Sequence, residues 1–261
     1  MGRWARSHER IRLPEQHRSV KMHGARMDGC FGTVAGNVSR ILEDIRSAAL
    51  RSGRRADLIR LVAVTKAVGT DRIREAIAAG VTTLGENRLQ EALPKIEQVG
   101  YERVAWHFIG RLQRRKVKAI VGRFALIHSV ETLELAEEIN RRAEQAGLRQ
   151  SVLLEINIGR EASKGGFAPE AVRDACENLG GMTHLAVQGL MTIPPMEADP
   201  NRTRPYFHRL REIAQSLTPS GFANIRMDEL SMGMSSDYPI AVEEGATLVR
   251  VGTAIFGARD D

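Results

Sequence analysis

From residue 34 to 52 the apolar side chains of Val34, Val38, Ile41, Leu42, Ile45 and Ala49 recur every three to four positions. That period predicts an amphipathic helix, closed by Gly53. The pattern then changes. Short β-rich runs occupy 61–66 (LVAVTK), 82–86 (TTLGE), 104–109 (VAWHFI), 125–130 (ALIHSV), 151–158 (SVLLEINI), 185–193 (LAVQGLMTI), 229–234 (ELSMGM) and 247–252 (TLVRVG). Seven helical segments separate them, most clearly DRIREAIAAG, ENRLQEALPKIEQV, ETLELAEEINRRAEQAG, APEAVRDACENLG and RTRPYFHRLREIAQSL. Thr70-Asp71 and Ser129 read as helix starts, and Gly80, Gly147 and Gly180 as helix stops.

Strands that alternate with helices pair in parallel through crossover connections. Eight is the number that closes into a (β/α)8 TIM-type barrel. Only AIFGARDD follows the last strand, too little for an eighth outer helix, so the helix at 34–52 is expected to complete the ring. A doubly wound open sheet is the competing architecture. It usually carries a G-x-G-x-x-G turn after its first strand, which TKAVGT is not. The expectation is an α/β barrel forming one domain over residues 31–261.

Charge alters the picture at one end only. Of the net +6, +5 lies in residues 1–26, where seven Arg and Lys face Glu9 and Glu15. The body is close to neutral. Residues 1–30 read as a disordered basic leader or, more plainly, as an upstream start codon with Met27 the true beginning. The leader has no apolar core of a signal peptide, and no apolar run reaches the roughly 18–20 residues of a membrane span. A cytoplasmic protein without membrane or nucleic-acid partners is expected. Cys30 and Cys176 have neither metal-ligand nor redox spacing and read as reduced structural thiols.

In barrels of this class the chemistry sits at the C-terminal ends of the strands. Lys66 ends the first run, Gly85-Glu86-Asn87 the second and His107-Phe108-Ile109-Gly110 the third. The seventh runs into Gly233-Met234-Ser235-Ser236, the eighth into Arg250-Val251-Gly252-Thr253. GMSS and GT supply hydroxyls and close backbone approach where such barrels hold phosphate, although turn and N-cap chemistry accounts for the same residues. Arg250, within an apolar strand, needs an acceptor. A lysine, a phosphate pocket and an inward arginine together describe a pyridoxal phosphate (PLP) site, in which the lysine forms a Schiff base with the cofactor aldehyde.

LVAVTK, LGENRLQEALPKI, WHFIGRLQRRK, IHSVETLELA, INIGREASKGGF, GLMTIPP and LSMGMSSDYPIAVEEGATLVRVGTAIFG resemble the pyridoxal phosphate homeostasis proteins over about residues 31–258. The barrel of that family is similar to the N-terminal domain of alanine racemases. The resemblance implies that Lys66 holds PLP, that Ser235, Gly252 and Thr253 contact its phosphate, with Met234 beside them, and that Arg250 meets the ring nitrogen with Asn87 nearby. Arg111 and Arg115 stand where the familiar pattern has Pro and Asn, and Val68 where some members have a second lysine. The Arg-rich RLQRRKVK reads as a solvated face. Lys164 matches a family lysine and is compatible with transient PLP capture or with a plain loop lysine. His107, between Trp106 and Phe108, reads as a packing residue ahead of an acid or base.

An arginine at the ring nitrogen disfavours its protonation and makes PLP a poorer electron sink. The resemblance to racemases adds a second acid/base group there, a tyrosine on an all-β domain, and this chain ends after the barrel. Of Tyr101, Tyr206 and Tyr238 only the last falls near the phosphate end. The expectation is therefore a monomeric PLP carrier in vitamin B6 homeostasis, without efficient catalysis, with PLP-requiring apoenzymes as candidate recipients. A PLP-dependent amino-acid racemase is the alternative.

Overall fold

The structure is a computed structural model that describes residues 32–217 and 221–257. The basic leader, Met27 and Cys30 lie outside the described residues. Eight parallel strands close in chain order: β1 (Arg60–Val64), β2 (Thr83–Glu86), β3 (Ala105–Phe108), β4 (Leu126–Val130), β5 (Gln150–Glu155), β6 (Leu185–Met191), β7 (Ile225–Ser231) and β8 (Leu248–Val251). β8 returns to β1 with Val62 opposite Arg250. The helices are α1 (Val34–Arg51), α2 (Thr70–Ala78), α3 (Leu89–Val99), α4 (Val117–Ile120), α5 (Leu133–Gln145), α6 (Val172–Leu179), α7 (Arg204–Leu217), α8 (Tyr238–Glu243) and α9 (Thr253–Phe256).

The alternation of strand side chains sorts them into two cores. Leu61, Ala63, Leu84, Trp106, Phe108, Ile127 and Leu154 face outward into the main core beneath the helices. Val62, Leu126, Leu153, Met191 and Leu248 form a separate cluster in the barrel lumen. A lumen of this kind is packed, not a pore, so a ligand can enter only above its top layer. Cys176 is buried in the outer core, where burial pushes its thiol up to about 11 and leaves it unreactive.

The helix that precedes β1 takes the missing place in the ring. α9 is a single turn, and α1 packs against α2, α8 and α9. Asn37 Nδ2 donates to Ile255 O at 2.9 Å, and Tyr238 Oη donates to Asp44 Oδ2 at 2.5 Å. Arg51 pairs with Glu243 at 2.7 Å.

Several boundaries differ from the sequence pattern. β7 lies four residues earlier at its start than expected, because exposed Arg226 and Asp228 interrupt the apolar signal of Ile225–Ser231. β7 itself ends at Ser231, although Met232 N and Gly233 O still hydrogen-bond to Leu248 and Arg250 of β8, and Gly233 adopts φ +87, left-handed backbone that favours glycine. β5 and β6 end sooner than their apolar runs, at Glu155 and Met191. Ser129 is not a helix start: it is buried in β4 and its hydroxyl donates to Gly110 O at 2.5 Å. The cap of α5 is Thr132, whose Oγ1 accepts from Leu135 N at 3.2 Å. β-branched Val130 extends the strand across the expected helix start. Gly80, Gly147 and Gly180 all stand where helices stop; Gly180, the C-cap of α6, keeps φ −57, whereas Gly80 and Gly147 have positive φ.

Candidate functional site

A cavity of about 1080 Å³ opens above the strand ends, and Lys66, Asn87, Met234, Ser235, Arg250, Gly252 and Thr253 all line it. Every residue singled out as cofactor-binding is thus brought to one place. A smaller cavity of about 530 Å³ opens where the chain enters β3 and β4, far along the strands from these residues.

Lys66 sits just past β1 rather than within it, in a turn held from several sides. Thr65 N donates to Gly85 O at 3.0 Å and Val68 N to Thr65 O at 3.0 Å. Lys95 Nζ, reaching in from α3, donates to Thr65 O at 2.6 Å and to Glu86 Oε1 at 2.7 Å. The Thr65 hydroxyl donates to the same Glu86 oxygen at 2.6 Å. Ala67 adopts φ +58, unusual for a residue with a Cβ, and its N–H donates to Glu91 Oε2 at 3.0 Å. That hydrogen bond holds the Glu91 carboxyl below the ordinary carboxylate range, with Lys95 and Arg88 adding to it. The turn is fixed by the Lys95–Glu86–Glu91 group while the Lys66 side chain makes no hydrogen bond or ion pair among the described residues. Its amine is left to the cavity.

Asn87 follows β2. Gly110 passes so close over it that a Cβ there would lie 2.3 Å from Asn87 O, which only glycine allows. Asn87 Oδ1 is buried without a partner among the described residues, an acceptor awaiting a donor from the cavity.

Arg250 is buried on β8 with its guanidinium inside the barrel. Its Nη1 donates to Ser231 Oγ at 2.6 Å and its Nη2 to Thr192 O at 2.9 Å, the acceptors its position demands. Burial lowers its pKa to about 10, opposed by the carboxylates of Glu155 and Asp237. It remains a cation at neutral pH.

Two backbone segments, after β7 and after β8, also face the cavity, the second beside β1. Asp237 Oδ1 accepts from Met234 N at 2.6 Å and folds the Met234–Asp237 loop back on itself. Ala254 N donates to Ser235 Oγ at 3.4 Å and ties this loop to the start of α9. The N–H groups of Ser235, Ser236 and Thr253 take no partner among the described residues. With three hydroxyls they form a cradle of donors. Gly252 packs on Val64, whose Cβ would lie 3.2 Å from an added Cβ.

The outer half of the cavity is charged. Arg111 pairs with Glu131 at 2.9 Å, so the departure from the familiar pattern is a rim ion pair. Lys164 donates to Pro194 O at 3.1 Å and pairs with Glu161 at 2.5 Å, so this loop lysine is anchored. Glu155, at the end of β5, lines the cavity, and its carboxyl makes no hydrogen bond or ion pair among the described residues. Burial raises its pKa, and Glu131 adds to the rise. Glu155 went unnoticed in the sequence because LLEINI reads as one continuous apolar strand. The strand-end rule finds it once β5 is seen to stop there.

His107 does not line the cavity. It is buried below it, and burial lowers its pKa to about 3, with Arg60 adding to the effect. The packing reading therefore describes it. Tyr238 is also out of reach, its hydroxyl directed at Asp44 on α1. Among the described residues no group of three or more His, Cys, Asp or Glu could hold a metal, and no helix is long and apolar enough to cross a membrane.

Comparison with known proteins places the chain in a family and matches its fold. The "Alanine racemase, N-terminal domain" family profile matches residues 39–260. The pyridoxal phosphate homeostasis protein of Aquifex aeolicus is 44% identical over 222 residues, 85% of this chain and 96% of its own. That of Pseudomonas aeruginosa is 41% identical over 231 residues, 88% of this chain and 97% of its own. The solved structure of PipY from Synechococcus elongatus with PLP bound superposes with a TM-score of 0.72 at 38% identity, covering 83% of this chain and 100% of PipY.

Proposed function

The chain belongs to the family of pyridoxal phosphate homeostasis proteins, and on that premise we propose that it binds PLP in the strand-end cavity and serves PLP homeostasis, not the steady turnover of an amino acid. The observation that carries this is the convergence of an unpaired lysine, a buried arginine and a donor cradle on one cavity. The residues present fit the group. The N–H groups and hydroxyls of Ser235, Ser236 and Thr253 suit a phosphate, Gly252 and Met234 shape the loops that offer them, Asn87 Oδ1 supplies an orphaned acceptor and Arg250 a fixed donor. When bound, PLP supplies an aldehyde that condenses with a lysine amine.

The protein's own side chains divide the work. Lys66 presents the amine from a turn whose backbone is fixed by Lys95, Glu86 and Glu91. The cradle of Ser235, Ser236 and Thr253 would hold the phosphate. Arg250, a cation throughout the physiological range, would offer a donor to the ring nitrogen and keep a proton off it, which would weaken carbanion chemistry. No tyrosine or histidine among the described residues lines the cavity to act as a second acid or base. We read the chain as a cytoplasmic, monomeric carrier from which PLP-requiring apoenzymes draw the cofactor.

One observation favours the racemase alternative: the Glu155 carboxyl, its pKa raised, faces the same cavity. One measurement tests the cofactor site and a second separates the two readings. PLP should bind with a shifted absorbance band, and Ser235→Asp, which puts a carboxylate in the cradle, should weaken binding at least roughly tenfold. Amino acids incubated with the loaded protein in deuterated water should keep their α-protons. Sustained exchange that is lost in Glu155→Gln would replace the carrier by the enzyme.

A further inference from the structure

A line of hydrogen bonds runs down through the lumen from Arg250. Arg250 Nη1 meets Ser231 Oγ at 2.6 Å, Ser231 Oγ meets His128 Nδ1 at 2.9 Å, and His128 Nε2 meets His107 Nδ1 at 3.0 Å. The four side chains come from β8, β7, β4 and β3, and all four residues are buried. Arg250 alone of the four lines the cavity; Ser231, His128 and His107 lie behind it.

Proton counting gives the chain a direction. A guanidinium has only donors, so Ser231 Oγ accepts from Arg250. The hydroxyl has one proton of its own, and His128 Nδ1 is the partner within reach, so Ser231 donates and Nδ1 accepts. A neutral imidazole that accepts at Nδ1 carries its proton on Nε2, and His128 Nε2–H therefore donates to His107 Nδ1. His107 in turn carries its proton on Nε2. Both rings must be neutral for this order. Burial opposes their charging, and the charges that act on them, Arg60 below and Arg250 above, are both positive, Arg60 being paired with Glu229.

We infer that Arg250, Ser231, His128 and His107 form a one-way hydrogen-bond chain that locks both histidines as neutral Nε2–H tautomers and makes Ser231 and His128 positioning residues for the guanidinium. The chain leaves Nη1 no rotational freedom, and Thr192 O fixes Nη2. The remaining donor edge is then held toward the cavity without reorganisation when a ring arrives. The second part of the inference rests on the PLP reading above; the tautomers do not.

Nitrogen-15 NMR of the full chain labelled at histidine tests both parts. In cofactor-free protein His107 and His128 should show protonated Nε2 and bare Nδ1, unchanged from pH 5 to pH 8. An Nδ1–H tautomer at His128, or titration of either ring in that range, overturns the chain. With PLP, Ser231→Ala should weaken retention roughly tenfold and shift the cofactor absorbance, while Ser231→Thr, which keeps the hydroxyl, restores both. Unchanged retention and spectrum in Ser231→Ala overturns the positioning role. If that variant does not fold, His128→Asn, read by the same retention and absorbance, takes its place. Failure of the unaltered chain to bind PLP defeats the functional reading instead and leaves the tautomer result standing.

Discussion

Lys95→Met removes the cation that joins α3 to the Lys66 turn. The Glu86 side chain is fully buried (0% exposed) and that of Lys95 nearly so (12%), so solvent cannot replace the lost charge. Breaking such a pair from one side costs about 3–5 kcal/mol, because a buried carboxylate is left without its partner. The Thr65 hydroxyl still donates to Glu86 Oε1, which holds the cost toward the lower end, while Thr65 O loses a 2.6 Å charged donor, which adds to it. Glu86 Oε2 already lacks a partner among the described residues, so no second contact compensates. For a barrel of this size, at about 2–4 °C per kcal/mol, the melting temperature should fall by roughly 6–20 °C. A thermal melt of cofactor-free protein measures that shift and urea denaturation the free-energy loss. The double variant Lys95→Met/Glu86→Leu removes the stranded charge and should recover at least half of the loss. A loss below about 1 kcal/mol, or a double variant no better than the sum of the singles, would refute the reasoning that a desolvated ion pair fixes this turn.

His107 carries a pKa near 3 in the fold against about 6.5 in the unfolded chain, so the unfolded state takes up the proton first. Stability should be fully present above about pH 6.5 and fall at up to roughly 1.4 kcal/mol per pH unit as pH drops toward 3; a His107→Leu protein whose urea midpoint has the same pH slope would contradict this. Glu155 has the opposite sign, its raised pKa meaning stability present below the unfolded value and lost as pH rises. Glu155→Gln should accordingly stabilise the cofactor-free protein at pH 7 and have no effect below pH 4, checked by thermal melts at both. Gly110→Ala drives a Cβ against the Asn87 backbone and should weaken PLP binding more than roughly tenfold, read by absorbance titration. Tyr238→Phe loses one hydrogen bond to Asp44 and about 1 kcal/mol of stability, yet should leave PLP affinity within about twofold.

The barrel was legible because its strands are continuous apolar runs whose ends carry the polar residues. Lys66 and Arg250 were visible as charges at the ends of LVAVTK and TLVRV, and the GMSS and GT segments as small residues at adjacent strand ends. β7 was displaced because Arg226 and Asp228 break the run that defines it. The Lys95 clamp was not legible: a lysine thirty positions from Thr65 touches it only after α3 folds back over β1 and β2. His128 was hidden inside ALIHSV, where a lumen-facing position looks no different from an outward one until register is known. Glu155 was missed for the same reason, being indistinguishable from the middle of a longer strand.

The most direct test of the central claim is reduction of the PLP-loaded protein with borohydride, followed by peptide mass mapping. The expected result is one cofactor per chain on the peptide containing Lys66, with no labelling of Lys66→Ala. A label on Lys164 instead, or an equal yield from Lys66→Ala, would contradict it.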